Sequence, residues 1–146
     1  MDIFRDLYQQ LIIDHNQNPH NFHKLDKATH YANGHNPLCG DEITIYIIKH
    51  NNYIKNISFT GSGCAISKAS ASIMTDILKN IEIKDAQLLF EKFHTLVTTG
   101  QNTEDLGKLS VLAGVHKFPS RVKCATLAWH TFIGAMNQSN DIIKTE

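Results

Sequence analysis

Asp41-Glu42-Ile43-Thr44-Ile45-Tyr46-Ile47-Ile48-Lys49 carries isoleucine at every second position from 43 to 47 and predicts the central strand of the fold. This alternation is typical of a β-strand with one buried face. His50-Asn51-Asn52 predicts a turn, and residues 53–60 predict an antiparallel returning strand. A further short strand is predicted around residues 29–33. Together these segments predict a β-meander of about three strands.

On both sides of the strands, the apolar residues follow the period of helices. This spacing predicts a first helix from residue 2 to about 15, then helices over 65–79 and 84–98, the latter with an apolar stripe of Leu88, Leu89, Phe93 and Leu96. It also predicts a short helix through Leu106, Leu109 and Leu112, and a last helix that begins at Pro119-Ser120. Trp129 shares the helical register of Val122 and Ala125, so we expect it in the core. The order predicts a single α+β domain over residues 1–146, a small antiparallel sheet with helices packed on one face.

Charge and hydropathy exclude several classes of partner. Lys and Arg together number 14, as do Asp and Glu, so the formal net charge is zero. Nucleic acids and anionic membranes select basic surfaces, so neither is expected as the main partner. No apolar run approaches the roughly 18 residues that span a bilayer. The first residues, Met1-Asp2-Ile3-Phe4-Arg5, do not resemble a secretory signal. We therefore expect a soluble, cytoplasmic protein.

Three cysteines and one aspartate are the candidate site residues. Cys39 and Asp41 share a polar turn, Cys64 follows Gly61-Ser62-Gly63, and Cys124 lies near the start of the last helix. Thiols in an intracellular protein stay reduced, so they are candidate metal ligands or nucleophiles. Three thiolates and a carboxylate make the four ligands of a tetrahedral zinc site, although iron–sulfur clusters also take thiolates. The alternative at each position is a cysteine that is simply a small buried hydrophobe.

The predicted topology brings these residues together. Residues two apart in an extended segment point to the same side, so Cys39 and Asp41 can converge on one ion. Antiparallel pairing then places the end of the strand over 53–60 beside Asp41, so Cys64 is expected at the same edge of the sheet. Cys64 and Cys124 are expected near helix N-termini, whose partial positive charge favours the thiolate.

A histidine-rich stretch follows the first helix and also invites a metal interpretation. It runs from His15 through His20 to His23, and it contains a proline and no fixed ligand spacing. We therefore expect a solvated loop here rather than a metal site.

Three blocks of the chain resemble the SufU and IscU-like family of iron–sulfur cluster assembly proteins. They are Asn36-Pro37-Leu38-Cys39-Gly40-Asp41, then Gly61-Ser62-Gly63-Cys64-Ala65-Ile66-Ser67-Lys68-Ala69-Ser70-Ala71-Ser72, and then Arg121-Val122-Lys123-Cys124-Ala125-Thr126-Leu127-Ala128-Trp129. The segment that runs from Leu7-Tyr8 to Asn18-Pro19 also resembles the opening helix of the family. The resemblance covers nearly the whole chain in one consistent order.

Three details resemble the SufU branch more than the IscU scaffolds. Lys123 stands where the scaffolds carry a histidine before the last cysteine, and we expect Lys123 to be solvent-exposed. Phe118-Pro119-Ser120-Arg121-Val122 stands where they carry Leu-Pro-Pro-Val-Lys. The 59 residues between Cys64 and Cys124 look like the insertion of the SufU branch.

The resemblance implies that Cys39, Asp41, Cys64 and Cys124 bind Zn²⁺. It also implies a sulfurtransferase that accepts persulfide sulfur from a pyridoxal-phosphate-dependent cysteine desulfurase of the SufS type and passes it to downstream cluster-assembly scaffold proteins. We interpret Cys39 as the sulfur acceptor because its polar turn is the most exposed of the three cysteine settings. Arg121 either stabilises a thiolate or persulfide by its charge or is a solvated arginine at a helix start.

Two other functions remain open at this point. One is an IscU-like scaffold on which a transient 2Fe–2S cluster is assembled by the same ligands. The other is a purely structural zinc domain, which we disfavour because a core of this size does not need a metal to fold.

Overall fold

The computed structural model describes residues 3–101, 106–137 and 143–144, and for residues 3–8 and 143–144 it describes the backbone alone. The elements in chain order are α1 (Ile3–Gln17), β1 (His30–Asn36), β2 (Asp41–His50), β3 (Tyr53–Ser62), α2 (Ala65–Leu78), α3 (Ile83–Thr99), a 3₁₀ helix (Gly107–Lys117), α4 (Pro119–Met136) and β4 (Ile143–Lys144). The predicted order of strands and helices is confirmed, and most boundaries shift by one to three residues.

The sheet is an antiparallel meander of three strands with one short addition. β2 pairs with β3 from Glu42↔Ser62 to His50↔Tyr53. β1 pairs with β2 on the other side, as far as Asn36↔Asp41. β4 adds two residues parallel to β1 and makes the order β3-β2-β1-β4. The sequence did not predict β4, because two residues are too few to show an alternating pattern.

The buried face of the sheet meets α2 and α4. Ile43, Ile45 and Ile47 are at most 2% exposed and form the centre of this core, together with Ile57, Phe59 and Trp129, which are fully buried. The alternation of β2 follows from this packing, since its even-numbered residues face the other side of the sheet. The α+β class, with helices on one face of the sheet, is therefore confirmed.

Two predicted details differ from the structure. Leu88 was expected on the apolar stripe of α3, but its side chain is 53% exposed, whereas Phe93, Leu96 and Val97 are buried. Only one stripe of α3 can reach the core, and that stripe excludes Leu88. β1 reaches Asn36 instead of residue 33, because antiparallel pairing with β2 continues to the turn that holds Cys39.

The histidine-rich stretch is not simply a solvated loop, and the expectation was wrong for His15. α1 continues to Gln17, and the side chain of His15 is only 2% exposed. Its Nδ1 lies 2.7 Å from Ser72 Oγ on α2. His20 and His23 are exposed, as expected. Helix packing decides the position of His15, because α1 lies against α2.

Within the described ranges, no helix is long and apolar enough to span a bilayer.

One histidine in the helical layer makes the stability depend on pH. His130 on α4 packs edge-on against Phe90, with ring centroids 5.1 Å apart, and also faces His94. Burial lowers the pKa of His130 below 6.5, and His94 lowers it further. The folded state therefore opposes protonation more than the unfolded state does.

We predict that His130 lowers the free energy of unfolding in acid. The contribution of neutral His130 is fully present above the unfolded pKa of about 6.5, and it is lost as the pH falls from there through the lower folded pKa. Urea unfolding at pH 7 and pH 5 measures it: relative to wild type, His130→Gln should become more stable as the pH falls. Exposed His23→Gln is the matched control. A difference between wild type and His130→Gln that does not change with pH would contradict the prediction.

Candidate metal centre

A buried carboxylate connects two turns of the chain at the candidate site, the β1–β2 turn and the β3–α2 junction. Asp41 begins β2, and its side chain is 0% exposed. The backbone N–H of Cys64 donates to its Oδ1 at 2.8 Å, and Asn36 Nδ2 donates to its Oδ2 at 3.2 Å. A buried carboxyl group requires such partners, because desolvation without them costs several kcal/mol. Asp41 therefore links the β1–β2 turn to the β3–α2 junction.

The β1–β2 turn places Cys39 beside this carboxylate. Asn36 and Asp41 are the last paired residues of the two strands, and the backbone O of Asn36 accepts hydrogen bonds from the N–H groups of Cys39 and Gly40. Gly40 has a φ of 71°, a left-handed conformation that glycine adopts without strain. A tight turn thus projects Cys39 out of the sheet edge.

The β3–α2 junction places Cys64 in contact with Asp41. Cys64 is the N-cap residue of α2, so its thiol lies at the positive end of the helix dipole. A methyl group on Gly63 would overlap Asp41 Oδ1. Glycine at this position lets the backbone approach the carboxylate closely enough for the hydrogen bond from Cys64.

Cys124 enters the group from the second turn of α4. Its Sγ lies 3.2 Å from Cys39 Sγ, and Cys64 Sγ lies 3.9 Å from Asp41 Oδ2. Cys39, Asp41 and Cys124 offer ligand atoms within 4.8 Å of one another. All three cysteines are free thiols. The structure therefore brings Cys39, Asp41 and Cys124 into one group, and Cys64 stands outside this group of three and contacts it through Asp41.

The three thiols differ in exposure. Cys124 is buried, Cys64 is intermediate and Cys39 is exposed. Burial raises the pKa of the Cys124 thiol strongly, and its contacts with Cys39 and Cys64 raise it further. A cation at this point would reverse that preference, because a coordinating thiol is deprotonated.

The donor set fits Zn²⁺. Zinc takes thiolate at about 2.3 Å and carboxylate at about 2.0–2.2 Å, so the ligand atoms of a tetrahedral site are about 3.3–3.8 Å apart. The separations of 3.2 Å between Cys39 and Cys124 and 3.9 Å between Cys64 and Asp41 are close to this range. Cys39, Asp41, Cys64 and Cys124 are thus the residues that could hold the ion.

Sequence reasoning missed one residue of this site, Asn36. Its side chain is fully buried, and its Nδ2 donates to Cys124 Sγ at 3.4 Å as well as to Asp41 Oδ2. Its Oδ1 has no hydrogen-bond partner among the described residues. The available signal was its place at the start of the block Asn36-Pro37-Leu38-Cys39-Gly40-Asp41, but no metal chemistry requires an amide there.

Arg121 lies beside the site. Its side chain is exposed, in the first turn of α4, and it lines a groove of about 820 Å³. The groove runs between α1, the start of α2 and the 3₁₀ helix, and it also contains Lys117 and the exposed Phe118. Lys123, expected to be solvent-exposed, is half-buried. Arg121 thus lines a mostly apolar groove that contains two cations, and its role remains a prediction.

Comparison with known proteins identifies relatives that match most of the chain. The family described as "NifU-like N terminal domain" matches residues 7–125. The chain is 38% identical over 135 residues to the iron–sulfur cluster assembly scaffold protein IscU of Streptococcus pyogenes, covering 91% of this chain and 84% of that protein. It is also 38% identical over 125 residues to the zinc-dependent sulfurtransferase SufU of Bacillus subtilis, covering 84% of each.

A solved structure agrees with the fold. It comes from Fervidobacterium islandicum and is described as a candidate iron–sulfur cluster assembly scaffold protein for the SUF system. The TM-score is 0.83 at 28% sequence identity, with 90% of this chain and 98% of that chain covered.

We predict that Asn36→Ala weakens metal binding by about 10- to 100-fold, the usual cost of losing a hydrogen bond to a metal ligand. Competition with a chromophoric chelator measures the affinity for Zn²⁺. Asn33→Ala is the matched control, because Asn33 lies on the same strand and bonds Thr44 Oγ1 on the exposed face. Wild-type affinity in a folded Asn36→Ala protein would show that the amide does not support the ligands.

Proposed function

This chain belongs to the NifU-like N-terminal domain family, and we propose that it is a zinc-dependent sulfur acceptor in iron–sulfur cluster assembly. The observation that carries the proposal is the exposure of Cys39 within a group whose other members are held by the fold. Asp41 is buried in a hydrogen-bond network, Cys64 is part of a helix cap, and Cys124 is buried in α4. Cys39 is the most exposed of the three thiols, so a partner protein can reach it most readily.

Cys39, Asp41, Cys64 and Cys124 would hold the ion. Bound Zn²⁺ keeps its cysteine ligands in the thiolate form at neutral pH, which is the form that attacks a disulfide or persulfide sulfur. The buried Asp41 and Cys124 keep their positions through hydrogen bonds from Asn36. The site thus combines anchored donors with one accessible thiolate.

The sulfur donor is a pyridoxal-phosphate-dependent cysteine desulfurase that carries a cysteine persulfide. The Cys39 thiolate attacks the outer sulfur of this persulfide, so that a new sulfur–sulfur bond forms on Cys39. The bond between the outer sulfur and the desulfurase cysteine breaks, and that cysteine leaves as a thiolate. No electrons enter or leave in this exchange. Downstream cluster-assembly scaffold proteins then take the sulfur from Cys39.

The groove beside the site supports a role for Arg121 in this exchange. Arg121 and Lys117 are exposed cations on its wall. Persulfides and thiolates are anionic at neutral pH, so these two cations favour their approach. We propose that Arg121 stabilises the negative charge on sulfur during transfer.

Lys123 supports the sulfurtransferase over the scaffold. It precedes Cys124 in the position where IscU scaffolds carry a histidine, and a lysine ammonium has no free lone pair for a metal. Sequence identity does not separate the two functions, since both relatives are 38% identical.

A scaffold that assembles a 2Fe–2S cluster is the second candidate, because three thiolates and Asp41 could also ligate iron. Anaerobic reconstitution with iron, sulfide and the desulfurase separates the candidates. A stable visible chromophore on the purified chain supports the scaffold. Tightly bound zinc that iron does not displace supports the sulfur acceptor.

We predict that Cys39→Ala abolishes sulfur acceptance and retains much of the bound zinc, because three anchored donors remain. The measurement uses cysteine labelled with ³⁵S, a cysteine desulfurase, and non-reducing gels that detect label on this chain. Zinc content is measured on the same samples.

Labelling of Cys39→Ala at the normal rate would contradict the assignment of the acceptor.

Arg121→Gln should slow labelling several-fold and make its rate less sensitive to salt, because the lost charge steers an anion. Lys123→Gln is the matched control on the same helix, because Lys123 does not line the groove.

A further inference from the structure

A second cluster of metal-ligating side chains lies away from the cysteines. It contains His15 at the end of α1, His20 in the following loop and Asp76 near the end of α2. These residues offer ligand atoms within 4.8 Å of one another. The ring centroids of the two histidines are 4.5 Å apart.

This cluster is separate from the cysteine centre. Cys64 caps the start of α2, and Asp76 follows it by twelve residues along the same helix. At about 1.5 Å per residue, that places Asp76 about 18 Å from Cys64. The two groups therefore cannot share one ion.

Hydrogen bonds from outside the cluster orient two of its members. Ser72 Oγ lies 2.7 Å from His15 Nδ1 and accepts the backbone N–H of His20 at 2.8 Å. Asn21 Nδ2 donates to Asp76 Oδ1 at 2.9 Å, which leaves Oδ2 directed at His20 Nδ1. Metal-binding histidines and carboxylates are characteristically held in this way by an outer set of partners.

We propose that His15, His20 and Asp76 bind a second divalent transition-metal ion of the Zn²⁺ class. Two imidazoles and one carboxylate are a ligand set that zinc takes with water in the fourth position, and Mg²⁺ and Ca²⁺ prefer oxygen ligands alone. His15 is 2% exposed, whereas the side chains of His20 and Asp76 are 50% and 33% exposed. The ion therefore has a rigid buried ligand on one side and solvent on the other.

Because this site is open to solvent, we expect its metal ion to exchange faster than an ion at the cysteine centre. An ion bound here also joins α1 and its following loop to α2, because its ligands come from all three. Binding should consequently raise the thermal stability of the folded chain. The proposal is independent of the sulfur-transfer function, because no residue of the cysteine centre takes part.

The test is a metal titration of the full chain, prepared without a histidine tag. Zn²⁺ titrated into metal-depleted wild type should bind at two ions per chain, one tightly and one more weakly. His20→Asn should keep the tight ion and lose the weak one. His23→Asn is the matched control, because exposed His23 lies in the same loop, and its Nδ1 contacts the backbone O of Lys24 rather than the cluster.

Co²⁺ gives a second readout that does not depend on the variants. The cysteine centre should produce sulfur-to-metal charge-transfer absorption with the first equivalent. The second equivalent should add weak visible bands without further charge transfer, since its ligands contain no sulfur. Binding of the second ion should raise the melting temperature of wild type and His23→Asn but not of His20→Asn.

A single Zn²⁺ per wild-type chain would overturn the proposal and leave His20 and Asp76 as a hydrogen-bonded pair between the loop and α2. A second ion that persists in His20→Asn, or that His23→Asn loses, would also overturn it. The conservative variant Asp76→Asn decides the case if His20→Asn does not fold, since it should lose the second ion alone.

Discussion

The buried carboxylate of Asp41 is the constraint on which the site depends. It accepts hydrogen bonds from the backbone of Cys64 and from the side chain of Asn36, and so joins the end of β3 to the end of β1. Because an unpaired buried carboxylate is costly, these contacts hold the two chain reversals together. Gly63 is part of the same constraint, since any side chain there would displace the carboxylate.

The gradient of exposure across the thiols follows from this arrangement. Cys124 projects from a helix that lies against the sheet, so it is buried, whereas Cys39 extends from a turn beyond the sheet edge. The same donor set is therefore rigid on its inner side and accessible on its outer side. A site of this kind can hold a metal ion and still present one sulfur atom to a partner.

The residue pattern predicted helices and strands well wherever the buried positions recur at a regular spacing along the chain. The alternation of Ile43, Ile45 and Ile47 identified β2 and its inner face, because a strand alternates faces along the chain. Leu88 shows the limit, since helical spacing in α3 is compatible with more than one stripe and only contact with the core selects one. β4 shows another limit, because its pairing with β1 depends on a contact distant in sequence.

The fold class, the family resemblance and the four candidate ligands could be predicted from the residues along the chain, because periodicity and local motifs are local properties. Tertiary packing was needed to show that Asn36 supports Cys124 and Asp41, that His15 is buried against Ser72, and that His15 lies close to His20 and Asp76. These are contacts between residues up to 88 positions apart. They depend on how helices and strands pack, and no local spacing encodes them.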